Sequence, residues 1–66
     1  MSSLNKATYI YLFPPNVQEA IEKDVRQKLL NNGLSNEQQE IALQDAMSSR
    51  LCDLSDMIDI DKYLES

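Results

Sequence analysis

The sequence predicts a mainly α-helical protein: a short N-terminal strand followed by a two-helix hairpin, completed by dimerisation. Three observations lead there. Apolar residues recur at four-residue steps from Val17 to Leu29, and a second apolar face runs from Leu43 to Ile58. Between the two stands Asn31-Asn32-Gly33, which contains the single glycine of the 66-residue chain. The residue types that favour strands are concentrated in Ala7–Phe13 and are stopped by Pro14-Pro15. Residues 1–6 read as a flexible arm, 7–58 as the strand–helix–helix domain and 59–66 as an acidic C-terminal tail.

The strand comes first. Tyr9, Tyr11 and Phe13 alternate along it and share one face, while Ile10 and Leu12, both expected in the core, take the other with Thr8. A lone strand leaves its own N–H and C=O groups unsatisfied, so this segment has to pair. No second strand candidate of this quality exists in the chain, and the expected partner is the same segment of a second copy. The aromatic face then serves either as a dimer interface and core or as a platform for another protein.

Helix 1 is expected from Pro15 or Asn16. Proline suits a first helical turn, and Asn16 with Glu19 has the spacing of a capping box. Val17, Ile21, Val25 and Leu29, with Ala20, form the buried stripe. Glu19–Lys23, Glu22–Arg26 and Asp24–Lys28 are acid-first pairs one turn apart on the solvated face, each worth about 0.2–0.5 kcal/mol. Gly33 is placed to adopt the left-handed conformation that closes a helix.

Helix 2 opens at Ser35, with Gln38 completing a capping box. Leu43, Ala46, Met47, Leu51, Leu54, Met57 and Ile58 follow on one face. Neither proline nor glycine interrupts residues 36–66, so the helix is expected to reach Ser55 or Ile58. The Leu34-Ser35 link is short enough to make a hairpin. Ile58, Ile60, Tyr63 and Leu64 form an apolar tail expected to pack back on the core or on a partner.

Chain length and chemistry narrow the function. A domain of this size buries only about 60% of its unfolded surface, so its core is marginal without a staple. Cys52 is the sole cysteine and histidine is absent, which excludes an intrachain disulfide and a Cys/His zinc site. A second subunit is the remaining ordinary staple, hence the expected homodimer. Without histidine the usual general base near neutral pH is missing, as is any Cys/His nucleophile pair. One glycine cannot build a phosphate-cradling loop. Cys52 lies beside Asp53, whereas nucleophilic cysteines sit beside positive charge, so a quiet packing or surface thiol is expected. No enzyme activity and no cofactor are expected.

Net charge is −5, unevenly placed: residues 1–50 hold six acids against five bases, whereas residues 51–66 hold five acids against Lys62 alone. Asp53, Asp56, Asp59 and Asp61 lack the alternate-position oxygens, turn glycine and closing glutamate of a calcium loop, and they read as a solvated acidic face. Such a chain repels nucleic acid and anionic membranes and suits a basic protein partner. The first residues carry no long apolar run of a secretion signal, and no stretch approaches the roughly 20 apolar residues of a membrane span. A cytoplasmic location is the expectation.

Thr8 to Phe13, Pro15, Gly33-Leu34-Ser35 and a second helix containing Ile41 and Ala46 resemble the ribbon-helix-helix family over residues 7–50. The resemblance implies a dimer whose paired strands enter the DNA major groove. Its groove-facing positions would be Tyr9, Tyr11 and Phe13, where that family typically carries Arg, Lys, Asn or Gln. Residues 21–51 also look like the two-helix hairpin phosphatases that act on sporulation response regulators. Their Ser-Gln-Glu-Leu-Asp signature falls on Ala42-Leu43-Gln44-Asp45-Ala46, which lacks the serine, so that activity is not carried over. The leading expectation is a small acidic protein–protein interaction module, a regulator or inhibitor working as a homodimer. A ribbon-helix-helix-like DNA-binding regulator comes second and the phosphatase hairpin third.

Overall fold

A computed structural model describes residues 4–64 of the chain; Met1–Ser3 of the expected arm and Glu65-Ser66 of the expected tail lie outside the described residues. Two α-helices, α1 (Pro15–Asn31) and α2 (Asn36–Met47), form the hairpin. Three short 3₁₀ turns surround it, at Ile10–Leu12, Leu51–Leu54 and Asp61–Tyr63.

The hairpin follows from its local signals. Gly33 has φ +80°, its N–H donates to the Leu30 carbonyl at 3.0 Å, and the Leu34 N–H donates to the Leu29 carbonyl at 3.3 Å. That pair of bonds is a Schellman closure, and Leu34 packs against the core beside it as the motif requires. One residue later Ser35 starts α2: the Gln38 N–H donates to Ser35 Oγ at 3.3 Å, and the Ser35 N–H donates to Gln38 Oε1 at 3.1 Å. The start of α1 differs from expectation. Its cap position is Pro14, whose carbonyl accepts from the Val17 and Gln18 N–H groups, and the Asn16–Glu19 box does not form. Gln18 Nε2 instead reaches back to the carbonyls of Phe13, at 2.7 Å, and Tyr11, at 3.2 Å.

Two expectations about the chain ends are overturned together. Among the described residues there is no N-terminal strand: Ile10–Leu12 is a 3₁₀ turn. The residues before it do pair in extended fashion, but with a segment of the same chain. An isolated antiparallel bridge joins Tyr9 to Arg50. The Ile10 N–H donates to the Ser49 carbonyl at 3.0 Å, Leu51 N–H to Thr8 at 3.1 Å and Cys52 N–H to Lys6 at 2.8 Å. The backbone groups that seemed to need a second copy are thus satisfied internally. For the same reason α2 stops at Met47 rather than running to Ser55 or Ile58. Its last turn is closed by Ser48 Oγ and Ser49 Oγ, which donate to the carbonyls of Gln44 and Asp45, and residue 50 is extended.

This change of backbone changes which side chains are inside. Side chains three apart eclipse on a 3₁₀ turn, so Ile10 and Phe13 point inward together. Both are buried, at 0% and 3% exposure, whereas Leu12, expected in the core, is 60% exposed. Ile21, Val25 and Leu29 from α1 meet Leu43 and Ala46 from α2, and Leu51, Leu54 and Ile60 complete the core. Val17 and Met47 are half-buried against it. One polar residue, Gln39, is also buried, its Nε2 donating to the Leu34 carbonyl at 3.0 Å across the hairpin turn.

Two predictions follow from this packing. Phe13→Ala should cost about 3–5 kcal/mol and Leu12→Ala less than about 0.5 kcal/mol in urea unfolding. Comparable costs at both positions would restore the alternating strand. Gly33→Ala meets no atom within 4 Å, so its cost is conformational alone, about 1–2 kcal/mol for an alanine at positive φ. An unchanged urea midpoint would mean that the turn is not closed this way.

Candidate functional site

The 3₁₀ turn that buries Ile10 and Phe13 turns the other side chains of the segment outward. Tyr11 is 57% exposed, Leu12 is 60% and Tyr9 is 36%. The Tyr9 and Tyr11 rings stack with centroids 5.3 Å apart and planes 24° from parallel. The Arg50 guanidinium lies over the Tyr9 ring, 5.1 Å from its centroid, brought there by the backbone bridge between the two residues. The result is a small amphipathic surface of two stacked phenols, an aliphatic side chain and one guanidinium. Its backbone is held from behind by Gln18 and by Ser49–Cys52.

The structure keeps two of the three aromatics expected on one face and removes the third. Phe13 anchors the surface from inside. Arg50 and Gln18 were not singled out from the sequence, since Arg50 is remote from Tyr9 along the chain and Gln18 lies on a helix whose cap was assigned to other residues. An amide one turn into a helix that follows a proline pair was the available signal for Gln18.

The acidic residues scatter rather than converge. Asp53 Oδ2 accepts the Arg50 N–H at 3.1 Å, and Asp59 Oδ1 accepts the Asp61 N–H at 3.3 Å. Asp61 faces Lys6 at 3.9 Å with both side chains mostly exposed, and Asp56 is exposed. Among the described residues, no three or more Cys, Asp or Glu side chains are placed to hold a metal ion. The Cys52 thiol is free and exposed. No helix among the described residues is long and apolar enough to cross a membrane.

The tail is tied to α1 through Asp24. Lys62 Nζ lies 2.6 Å from Asp24 Oδ2, the Tyr63 hydroxyl donates to the same oxygen, and the Lys62 ammonium sits 5.3 Å from the Tyr63 ring centroid. Asp24 therefore pairs with the tail, in place of the Lys28 expected from helical spacing. Hydrogen bonds from Lys62 and then Tyr63 hold its carboxyl below the usual carboxylate range. Burial, followed by the hydrogen bond to Asp24, pushes the Tyr63 phenol upward, so it remains a donor. Arg26 spans the hairpin, 2.8 Å from Glu40 and 3.3 Å from Glu22, and this hydrogen bonding raises its already high pKa.

Comparison with family models, with curated proteins and with solved structures gives no match.

Because the folded-state pKa of Asp24 is depressed, its contribution to stability is present above its ordinary value of 3.8 and disappears as pH falls through the lower folded value. Asp24→Asn should therefore lower stability at neutral pH and flatten the loss of stability below about pH 4. Parallel acid-unfolding curves for the two proteins would show that the clasp contributes nothing.

Proposed function

We propose that this protein is a small acidic, non-enzymatic protein–protein interaction module, a regulator or inhibitor that works as a homodimer. The observation that carries this reading is the exposure of Tyr9, Tyr11 and Leu12 on a backbone hydrogen-bonded from behind. Aromatic side chains that are ordered before binding supply large contact area at low entropic cost, and such residues dominate interface energies. The proposed occupant is the same surface of a second copy, and it would be bound through side chains, since the backbone of residues 6–10 is already engaged.

A ribbon-helix-helix-like DNA-binding regulator is the second reading, favoured by the order of extended segment, helix, Gly-Leu-Ser turn and helix. Its paired strands would have to displace the bonds to Ser49–Cys52. Lys6 and Arg50 are the bases of this corner, so a dimer offers about four phosphate contacts where ordinary affinity at cellular salt takes roughly six to ten.

Sedimentation equilibrium at micromolar concentration should give a mass near twice 7.6 kDa. Tyr11→Ser should weaken association by about 2 kcal/mol and Lys6→Ala should barely alter it. No sequence-specific DNA binding is expected in gel shifts at about 150 mM salt. A monomer at every concentration sinks the homodimer, and nanomolar operator binding abolished by Lys6→Ala puts the DNA-binding reading first.

A further inference from the structure

The outer face of α2 carries a second pattern that the aromatic surface does not use. Ile41 is 71% exposed, the most exposed of the large apolar side chains among the described residues. Glu37 stands one helical turn before it and Asp45 one turn after, so both carboxylates share its face. A shallow groove of about 550 Å³ runs along this face, lined by Gln38, Ile41, Ala42, Gln44, Asp45 and Ser48. No lysine or arginine occurs within Asn36–Met47. The nearest guanidinium across the hairpin, Arg26, is committed to Glu22 and Glu40.

Stability does not explain an isoleucine here. Helix α2 reaches the core through Leu43 and Ala46, and Ile41 is not in that cluster. Glu37 near the start of α2 is favourable to the helix dipole, but Asp45 near the end is not. An acidic residue placed against the dipole, beside an exposed isoleucine, suits a ligand better than the isolated helix.

We infer that the Glu37–Ile41–Asp45 face of α2 is a docking surface for a basic amphipathic helix of another protein, with an apolar side chain on Ile41 and basic groups one turn to either side. Charge complementarity selects this occupant. A second copy of this face would bring two Glu37 and two Asp45 carboxylates together around the apolar contact, whereas a basic segment neutralises them. The chain's net charge of −5 draws such a partner from a distance. The inference rests on the reading of this protein as an interaction module and adds the partner's chemistry, on a surface separate from Tyr9 and Tyr11.

The probe is a synthetic helix with leucines on one face and lysines one turn to either side of each, labelled for fluorescence anisotropy against the full chain. Wild-type protein should bind it with an affinity that falls as salt rises. Ile41→Ser should weaken binding about tenfold or more, and Glu37→Gln with Asp45→Gln should weaken it severalfold while flattening the salt dependence. Both variants should keep the wild-type urea midpoint within error. Tyr11→Ser should leave probe binding unchanged, which separates this surface from the proposed dimer contact. Four results overturn the inference: no binding of the probe by wild type; equal binding by Ile41→Ser; equal binding of a lysine helix without leucines, which would mean diffuse charge alone; and a large loss of stability in Ile41→Ser.

Discussion

The backbone pairing of residues 6–10 with 49–52 is the constraint on which the rest of the molecule depends. It is small, a single bridge with three long-range N–H···O=C bonds, and it joins the two ends of the fold across the helical hairpin. Because Ser49 to Cys52 must be extended or 3₁₀ to make those bonds, α2 has to end at Met47. Because α2 ends there, Leu51 and Leu54 descend beside the hairpin instead of continuing along its axis, and both become core residues. On the other side, Ile10 follows directly from the bridge and enters the same core with no exposed surface. Three hydrogen bonds of about 1 kcal/mol each would not hold such a junction alone. The buried Ile10, Leu51 and Leu54 hold it, and the bonds decide which way the chain enters and leaves.

That junction also fixes what is presented to solvent. A strand at Thr8–Phe13 would have put three aromatics on one side and two aliphatics on the other. The 3₁₀ turn replaces period two with period three, takes Phe13 inside, and leaves Tyr9, Tyr11 and Leu12 out. Arg50 reaches Tyr9 because the bridge places them opposite each other. The exposed surface of Tyr9, Tyr11 and Leu12 is therefore a by-product of the same bonds that terminate α2, with the two tyrosine rings already stacked on it.

The polar contacts divide into two kinds. Gln18, Gln39, Ser35 and Gln38 satisfy backbone groups at helix ends and turns, where an unpaired carbonyl or amide would cost free energy. The ion pairs of Arg26 with Glu22 and Glu40 lie at half-exposed positions and are worth little individually. The Asp24–Lys62–Tyr63 clasp is intermediate, since it fastens a tail whose Ile60 is already buried.

The sequence by itself determined the hairpin: the stripe of Ile21, Val25 and Leu29, the Gly33 closure and the Ser35–Gln38 box are local signals, read within one or two turns of chain. Leu43, Leu51 and Leu54 were legible as core for the same reason, although the backbone that carries Leu51 and Leu54 was not. The tertiary structure decided what no local window holds. A run of residues 36–66 without proline or glycine permits a long helix, and the competing bonds that the Leu51 and Cys52 N–H groups donate to the Thr8 and Lys6 carbonyls shorten it. Alternation in Ala7–Phe13 permits a strand, and only the availability of Ser49–Cys52 as an internal partner makes a second copy unnecessary for backbone pairing. Asp24 had Lys28 within helical reach and took Lys62 instead, because docking of Ile60 delivers the tail to that side of α1. For Asp24 the local helical pair was worth a fraction of a kcal/mol, and the burial of a large side chain such as Ile60 several times more, so packing outweighed the local preference.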